Sequence, residues 1–142
     1  MNFQSILGVN KESEVFHQLE SFLDDNPIKR ENNITINNQK THDYELLFKQ
    51  KGVLITFLND EVIKIKVYFS PSPICQPFRS EFVFGLSYIS SENDIKKQFD
   101  FPQNLNQEPM RADNLYQYKN CTVAFDAMTA EINFAEIRKE EE

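Results

Sequence analysis

Between Tyr44 and Phe69 apolar and polar residues alternate with a period of two, and turn residues divide the run into three. Tyr44, Leu46 and Phe48 alternate with Glu45, Leu47 and Lys49. Val53, Ile55 and Phe57 follow a Lys51-Gly52 turn, and Ile63, Ile65, Val67 and Phe69 follow an Asn59-Asp60 turn and alternate with Lys64, Lys66 and Tyr68. Successive strand side chains point to opposite faces, so the pattern predicts three antiparallel strands in a meander. Segments 115–118, 122–126 and 131–137 read as three more, with turns at Lys119-Asn120 and 127–129.

Two stretches carry helical spacing instead. Residues 11–24 set Val15, Leu19, Phe22 and Leu23 on one face, with Ser13 or Asn10 as cap and Asn26-Pro27 as stop. Residues 91–99 follow a cap at Ser90 or Ser91, place Glu92 and Asp94 in the first turn, pair Ile95 with Phe99, and end before Pro102. The remaining segments are weaker. The Asn-rich span 29–43 reads as a loop or one short strand around Ile34 and Ile36. Pro71, Pro73 and Pro77 make 70–80 a loop, because proline removes ladder donors. Residues 81–86 read as a short strand, 103–114 as a loop, and the charged tail as frayed.

The halves superpose periodically. An offset of 68 sets Phe48 on Tyr116, Val53 on Cys121, Ile55 on Val123 and Phe57 on Phe125; one more residue sets Ile63 on Ile132 and Ile65 on Phe134. Any two amphipathic hairpins align in part, so duplication is compatible with the pattern without being required by it. The expected fold is α+β: one domain over 1–142, with pseudo-repeats 1–70 and 80–138, each an α-β-β-β unit. Together they would build an antiparallel six-stranded sheet with both helices on one face. The other face would carry Glu45, Lys49, Thr56, Lys64 and Lys66 beside Leu47, Leu54, Leu58 and Tyr68. Such a mixed surface is solvated, covered by a loop, or a docking surface.

Composition narrows the function classes. At 142 residues, with 13 Phe, 5 Tyr and only 3 Gly, the chain can bury a core without a metal or disulfide. Its net charge of −7 repels phosphate backbones, which argues against nucleic acid and favours a cationic partner, though solubility alone explains such a charge. The opening MNFQSILGVNKESEV holds no apolar run long enough for a signal or a membrane span, so a cytoplasmic protein is expected. Cys75 and Cys121 have no metal-ligand spacing and read as reduced thiols, with their pairing left open.

Chemistry-bearing motifs are scarce. His17 and His42 have no metal-binding spacing, there is no GxSxG, and Gly8, Gly52 and Gly85 are too scattered for a phosphate loop, so neither cofactor nor metal is expected. The acidic pairs Asp24-Asp25, Asp60-Glu61 and Glu92/Asp94 suit turns and caps. In Asp60-Glu61-Val62-Ile63-Lys64 the spacing puts Glu61 and Lys64 on opposite sides of a regular strand.

Pro77-Phe78, Phe84-Gly85-Leu86-Ser87, Asp94-Ile95 and Phe99-Asp100-Phe101-Pro102 together resemble a motif of immunity proteins that accompany bacterial polymorphic toxins. Ile6-Leu7-Gly8 before a helix with Glu14-Val15, and the Lys51-Gly52-Val53 hairpin, fit the same layout. Val83 departs from it where those proteins tend to carry proline, and Asp100 where they carry glycine. The resemblance implies inhibition of one cognate toxin by binding, with no catalytic residues. Contact candidates are then Asp60 and Glu61 at a hairpin tip and Leu47, Leu54, Leu58 and Tyr68 on the open face, meeting a basic toxin surface. Two alternatives stand beside this one. The first is a small-ligand or enzyme domain using the helix–sheet cleft, with Glu92 or Asp94 as base. The second is a subunit whose open face pairs with itself.

Overall fold

The computed structural model describes residues 1–36, 39–98, 103–104 and 113–140. A 3-10 turn, Phe3–Ile6, leads into helix α1, Glu14–Leu23, and four strands follow: β1, Ile28–Ile36; β2, Gln39–Phe48; β3, Val53–Leu58; and β4, Glu61–Tyr68. The second half repeats that order with a 3-10 turn at Val83–Gly85, helix α2 at Glu92–Gln98, and strands β5, Gln103–Asn104; β6, Asp113–Tyr118; β7, Cys121–Asp126; and β8, Ile132–Arg138. Every strand pair is antiparallel, in the order β1-β2-β3-β4-β8-β7-β6-β5. The architecture is α+β, as the sequence suggests, but among the described residues the sheet has seven strands of six residues or more, with Gln103–Asn104 as an eighth, rather than six.

The extra length comes mostly from the Asn-rich span. Instead of a loop or one weak strand, 28–48 forms a hairpin with Ile28 opposite Leu47 and Ile36 opposite Gln39. Polar residues hide this strand because β1 is a sheet edge, where polar and charged residues are the rule. His42 accordingly lies in β2 and not in a loop. The expected strand at 81–86 is a 3-10 turn, because Phe84 (φ 54°) and Gly85 (φ 73°) are both left-handed and Leu86 N–H closes back on the Val83 carbonyl at 3.0 Å. Phe99 and Pro102, read as the partner and the stop of α2, lie outside the described residues.

Register relates the halves more closely than periodicity alone. Val53, Ile55 and Phe57 correspond to Cys121, Val123 and Phe125 at the expected offset of 68. The flanking strands do not keep that offset. Leu46 lies opposite Ile55 as Tyr116 lies opposite Val123, and Val62 opposite Phe57 as Ile132 lies opposite Phe125, an offset of 70 in both. Phe48 therefore corresponds to Tyr118 rather than Tyr116, and Ile65 to Ala135 rather than Phe134. Length differences at the hairpin tips cause the slip. A bulge also recurs at one place in both halves, between Thr56 and Phe57 and between Ala124 and Phe125, leaving Ile63 and Asn133 as the extra residues. At the join, Ile65 faces Ile137, Lys66 faces Glu136 and Val67 faces Ala135. Exchange by 70 maps this set onto itself, so a local two-fold passes between Lys66 and Glu136.

One face of the sheet carries the core. Phe16 of α1 meets Phe57 edge-on at 5.2 Å, Phe57 stacks on Tyr44 at 4.7 Å, and Leu19 and Leu23 complete the buried side of the helix. Val15 and Phe22, expected on that side, are exposed by 39% and 43%, because the sheet is met by the Phe16-Leu19-Leu23 stripe. Ser13 caps α1 by accepting from Phe16 N–H, and Ser91 caps α2 by accepting from Asp94 N–H at 3.1 Å. Ile95 of α2 is buried in the same core, and Glu92 accepts from the Tyr116 hydroxyl. Phe3, Phe78 and Phe82 form an aromatic cluster in the same core, with Phe3 at 5.8 Å and 5.0 Å from the other two rings.

Cys75 and Cys121 are buried free thiols, and burial raises both, Cys121 to about 12. A thiol raised from its ordinary 9.0 contributes stability in full below pH 9 that is lost as pH climbs through about 12. Tyr116, pushed to about 12 by burial and by its bond to Glu92, acts in the same direction, whereas Lys66, lowered by burial, acts against it. The urea midpoint is therefore expected to fall between pH 8 and pH 11. At pH 8 neither thiol of the native protein should react promptly with an aromatic disulfide reagent, and both should react on unfolding.

Candidate functional site

Residues opposite each other in an antiparallel pair share a face, so the register writes out the side of the sheet that the helices leave open. One row runs Ile28, Leu47, Leu54, Lys66, Glu136, Thr122 and Gln117. A second runs Arg30, Glu45, Thr56, Lys64 and Arg138, and a third Tyr68, Phe134, Ala124 and Leu115. Charged side chains therefore run through the second row and the middle of the first, while apolar ones occupy the β1–β3 end of the first row and most of the third.

The local two-fold places a cation and an anion at equivalent positions, and each is held differently. Glu136, 9% exposed, receives Arg138 at 3.1 Å and Lys64 at 4.0 Å. Lys66 is half-buried, with its ammonium 4.0 Å from the Phe134 ring centroid and 4.9 Å from that of Tyr68. Burial pushes the Lys66 ammonium down from its ordinary value, and Glu136 pulls it partly back. Among the described residues no anion lies within 4.0 Å of it. Its cation–π contacts are the partners the fold supplies.

Two open hollows lie beside the end of β8. One of about 670 Å³ is lined by Thr56, Leu58, Glu61, Ile63, Lys64 and Arg138, among others. The other, of about 540 Å³, is lined by Lys66, Leu115, Thr122, Phe134 and Glu136, among others, and both share Arg138, Lys139 and Glu140. The bulge at Ile63 brings Glu61 and Lys64 to the same hollow, although regular alternation would separate them. Thr56 is 8% exposed, and its buried Oγ1 has no hydrogen-bond partner among the described residues. The equivalent position in the other half is Ala124, fully buried. Thr56→Val is therefore expected to raise stability by about 1 kcal/mol, since an orphaned hydroxyl costs roughly 1–3 kcal/mol. A urea midpoint that falls instead would show that the hydroxyl has a partner in solution.

The six contact candidates are not all brought together. Leu47, Leu54 and Tyr68 share the central open face, half-buried or buried by their neighbours. Leu58, 38% exposed, and Glu61 sit at its far end, where Glu61 pairs with Lys139. Asp60 is turned away toward the helix-bearing side, accepting from the Tyr44 hydroxyl at 2.9 Å while its carbonyl accepts from Lys11 N–H at 2.8 Å. Burial and the Asp60 carboxylate together drive the Tyr44 hydroxyl well above its ordinary value. Phe134, Glu136 and Arg138 were missed as site residues. Their alternation with Ala135 and Ile137 marks the same face, but their place beside β4 depends on a long-range pairing.

The residues of the other readings are also placed. Asp94 accepts from Ser91 N–H at 3.4 Å as part of the α2 cap, and lines a shallow hollow with Gly85, Ser87 and Lys97. His17 is exposed on α1, 3.1 Å from Glu20. Among the described residues no three His, Cys, Asp or Glu side chains gather to hold a metal ion, and no helix is long and apolar enough to cross a membrane. Comparison with protein-family models, curated proteins and solved structures gives no significant match to this chain.

Proposed function

We propose that this protein acts by binding, as an immunity protein that neutralises a cognate bacterial toxin through direct contact with the open sheet face. The observation that carries the reading is the composition of that face. Leu47 and Leu54 lie in one row with Lys66 and Glu136, flanked by Tyr68 and Phe134. Apolar area beside fixed charges is what a specific protein interface uses: the apolar part supplies affinity and the charges set register and reject wrong partners. The net charge of −7 favours a toxin of positive net charge at long range, where it would speed encounter. The two halves would in this reading descend from a duplicated unit, with the contact built where they join.

Calorimetry of the protein with the product of the adjacent gene is expected to give a complex tighter than micromolar. Leu47→Glu, which adds a charge to the half-buried centre of the face, should weaken it by about a hundredfold. No heat at micromolar concentration overturns the reading, and so does a complex indifferent to substitutions on this face.

A further inference from the structure

The centre of the open face has a specific chemistry. Glu136 is already engaged by Arg138 and Lys64, so the fold neutralises it internally. Lys66, its two-fold counterpart, has two aromatic rings and no anion within 4.0 Å among the described residues. Lys66 holds its ammonium over the Tyr68 and Phe134 rings, so part of the rotamer entropy that an ordinary surface lysine loses on binding has been lost already. Its ammonium is partly stripped of water, so an arriving anion gains more from it than from an exposed lysine. The ammonium opens on the 540 Å³ hollow, whose walls include Leu115, Thr122 and Phe134, a size and lining suited to a short side chain with a charged end.

We propose that Lys66 is the anchor of the interface and receives a carboxylate side chain, Asp or Glu, presented by the protein partner. This rests on the binding reading above and names the chemistry of the contact. A protein carboxylate is favoured over a nucleic-acid phosphate because Glu136 and Glu140 line the same hollow and the chain as a whole is strongly acidic. A single carboxylate between apolar neighbours satisfies the ammonium without bringing a train of further negative charges past those acids. Positive net charge on the toxin and one carboxylate at the contact are compatible, since the first acts over the Debye length and the second at contact.

The probes are a blocked Leu-Glu-Leu peptide, its Leu-Gln-Leu counterpart and inorganic phosphate, titrated into the intact protein and followed by the lysine Cε and aromatic ring resonances. The glutamate peptide is expected to shift Lys66, Tyr68 and Phe134 saturably, with the glutamine peptide about tenfold weaker or more. Lys66→Met removes the ammonium but keeps an unbranched side chain beside the rings, and should abolish that difference while leaving the backbone spectrum otherwise intact; Lys49→Met, at an exposed position, should not. Equal binding of the two peptides overturns the proposal, as does phosphate binding as tightly as the glutamate peptide, or a preference that survives Lys66→Met. A toxin complex unaffected by Lys66→Met removes this anchor and leaves the binding reading standing. Absence of any toxin complex removes that reading and leaves the peptide result to stand or fall alone.

Discussion

Gly52→Ala is expected to destabilise the protein by about 4 kcal/mol or more, a large share of the roughly 5–15 kcal/mol that holds a domain folded. Gly52 has φ +71°, and a Cβ there would lie 2.3 Å from the Gln76 carbonyl oxygen and 2.8 Å from Phe78 N. Both neighbours are backbone, so no side-chain rotation relieves the overlap. The left-handed conformation alone costs an alanine about 1–2 kcal/mol. Moving either strand of chain would then strain three hydrogen bonds: Tyr68 N–H to the Gly52 carbonyl at 2.8 Å, Phe78 N–H to the Tyr68 carbonyl at 2.6 Å, and Gln76 N–H to the Lys49 carbonyl at 2.8 Å. Each contributes about 1 kcal/mol. Gly8→Ala is the control. Gly8 has φ +85°, but the nearest atoms are the Glu61 carboxylate at 3.6 Å and the Lys139 stem at 3.7 Å, both side-chain ends that can yield. It should lose only the conformational cost. Urea titration of the two variants separates close approach from φ alone, and equal losses would show that the crossing of 49–52 by 76–78 is loose. Because Tyr68 is tied into this crossing, Gly52→Ala should also disturb the seat of Lys66.

What could be read from the sequence follows from how local each signal is. The hairpins at Asn59-Asp60 and Lys119-Asn120 were legible because a two-residue turn between alternating runs carries its own chemistry; Asn59, Asp60 and Lys119 indeed take positive φ. The caps Ser13 and Ser91 were legible for the same reason. Strand β1 was not, because an edge strand has one neighbour and its Lys29-Arg30-Glu31 stretch shows no alternation. The buried side of α1 was misjudged by one position. Val15 and Phe16 are adjacent apolar residues, and only the orientation of the sheet decides which one turns inward. The offset between halves slipped because the hairpin tips differ in length: residues 49–52 separate Phe48 from its partner Val53, whereas only 119–120 separate Tyr118 from Cys121, and strand periodicity does not register the length of a tip. Half of the candidate site lay on β2–β4 and was visible as an open face. The other half is on β8, and its pairing with β4 spans about 70 residues of chain. No local pattern encodes such a contact.

Phe57→Ala is expected to cost about 3–5 kcal/mol, the range for removing a fully buried aromatic side chain, while leaving partner affinity near its original value. Phe57 is fully buried and joins three elements: it stacks on Tyr44 of β2 with an interplanar angle of 9°, meets Phe16 of α1 at 82°, and sits beside the bulge that re-aims β4. Removing the ring leaves a cavity that α1 cannot collapse into without losing its other buried contacts, Leu19 and Leu23. It also takes away the platform on which Tyr44 is oriented toward Asp60. Val15→Ala, one residue before Phe16, should change stability by no more than about 0.5 kcal/mol because that side chain is substantially exposed. The two substitutions test which stripe of α1 meets the sheet. They also test the separation of the two faces. Phe57 points into the core and the proposed contact points away from it, so at a temperature where the variant is still folded, the only effect on binding should be the fraction folded. An affinity that falls much further than that fraction would mean that the core side of β3 sets the shape of the open face, and that the anchor at Lys66 depends on the packing beneath it.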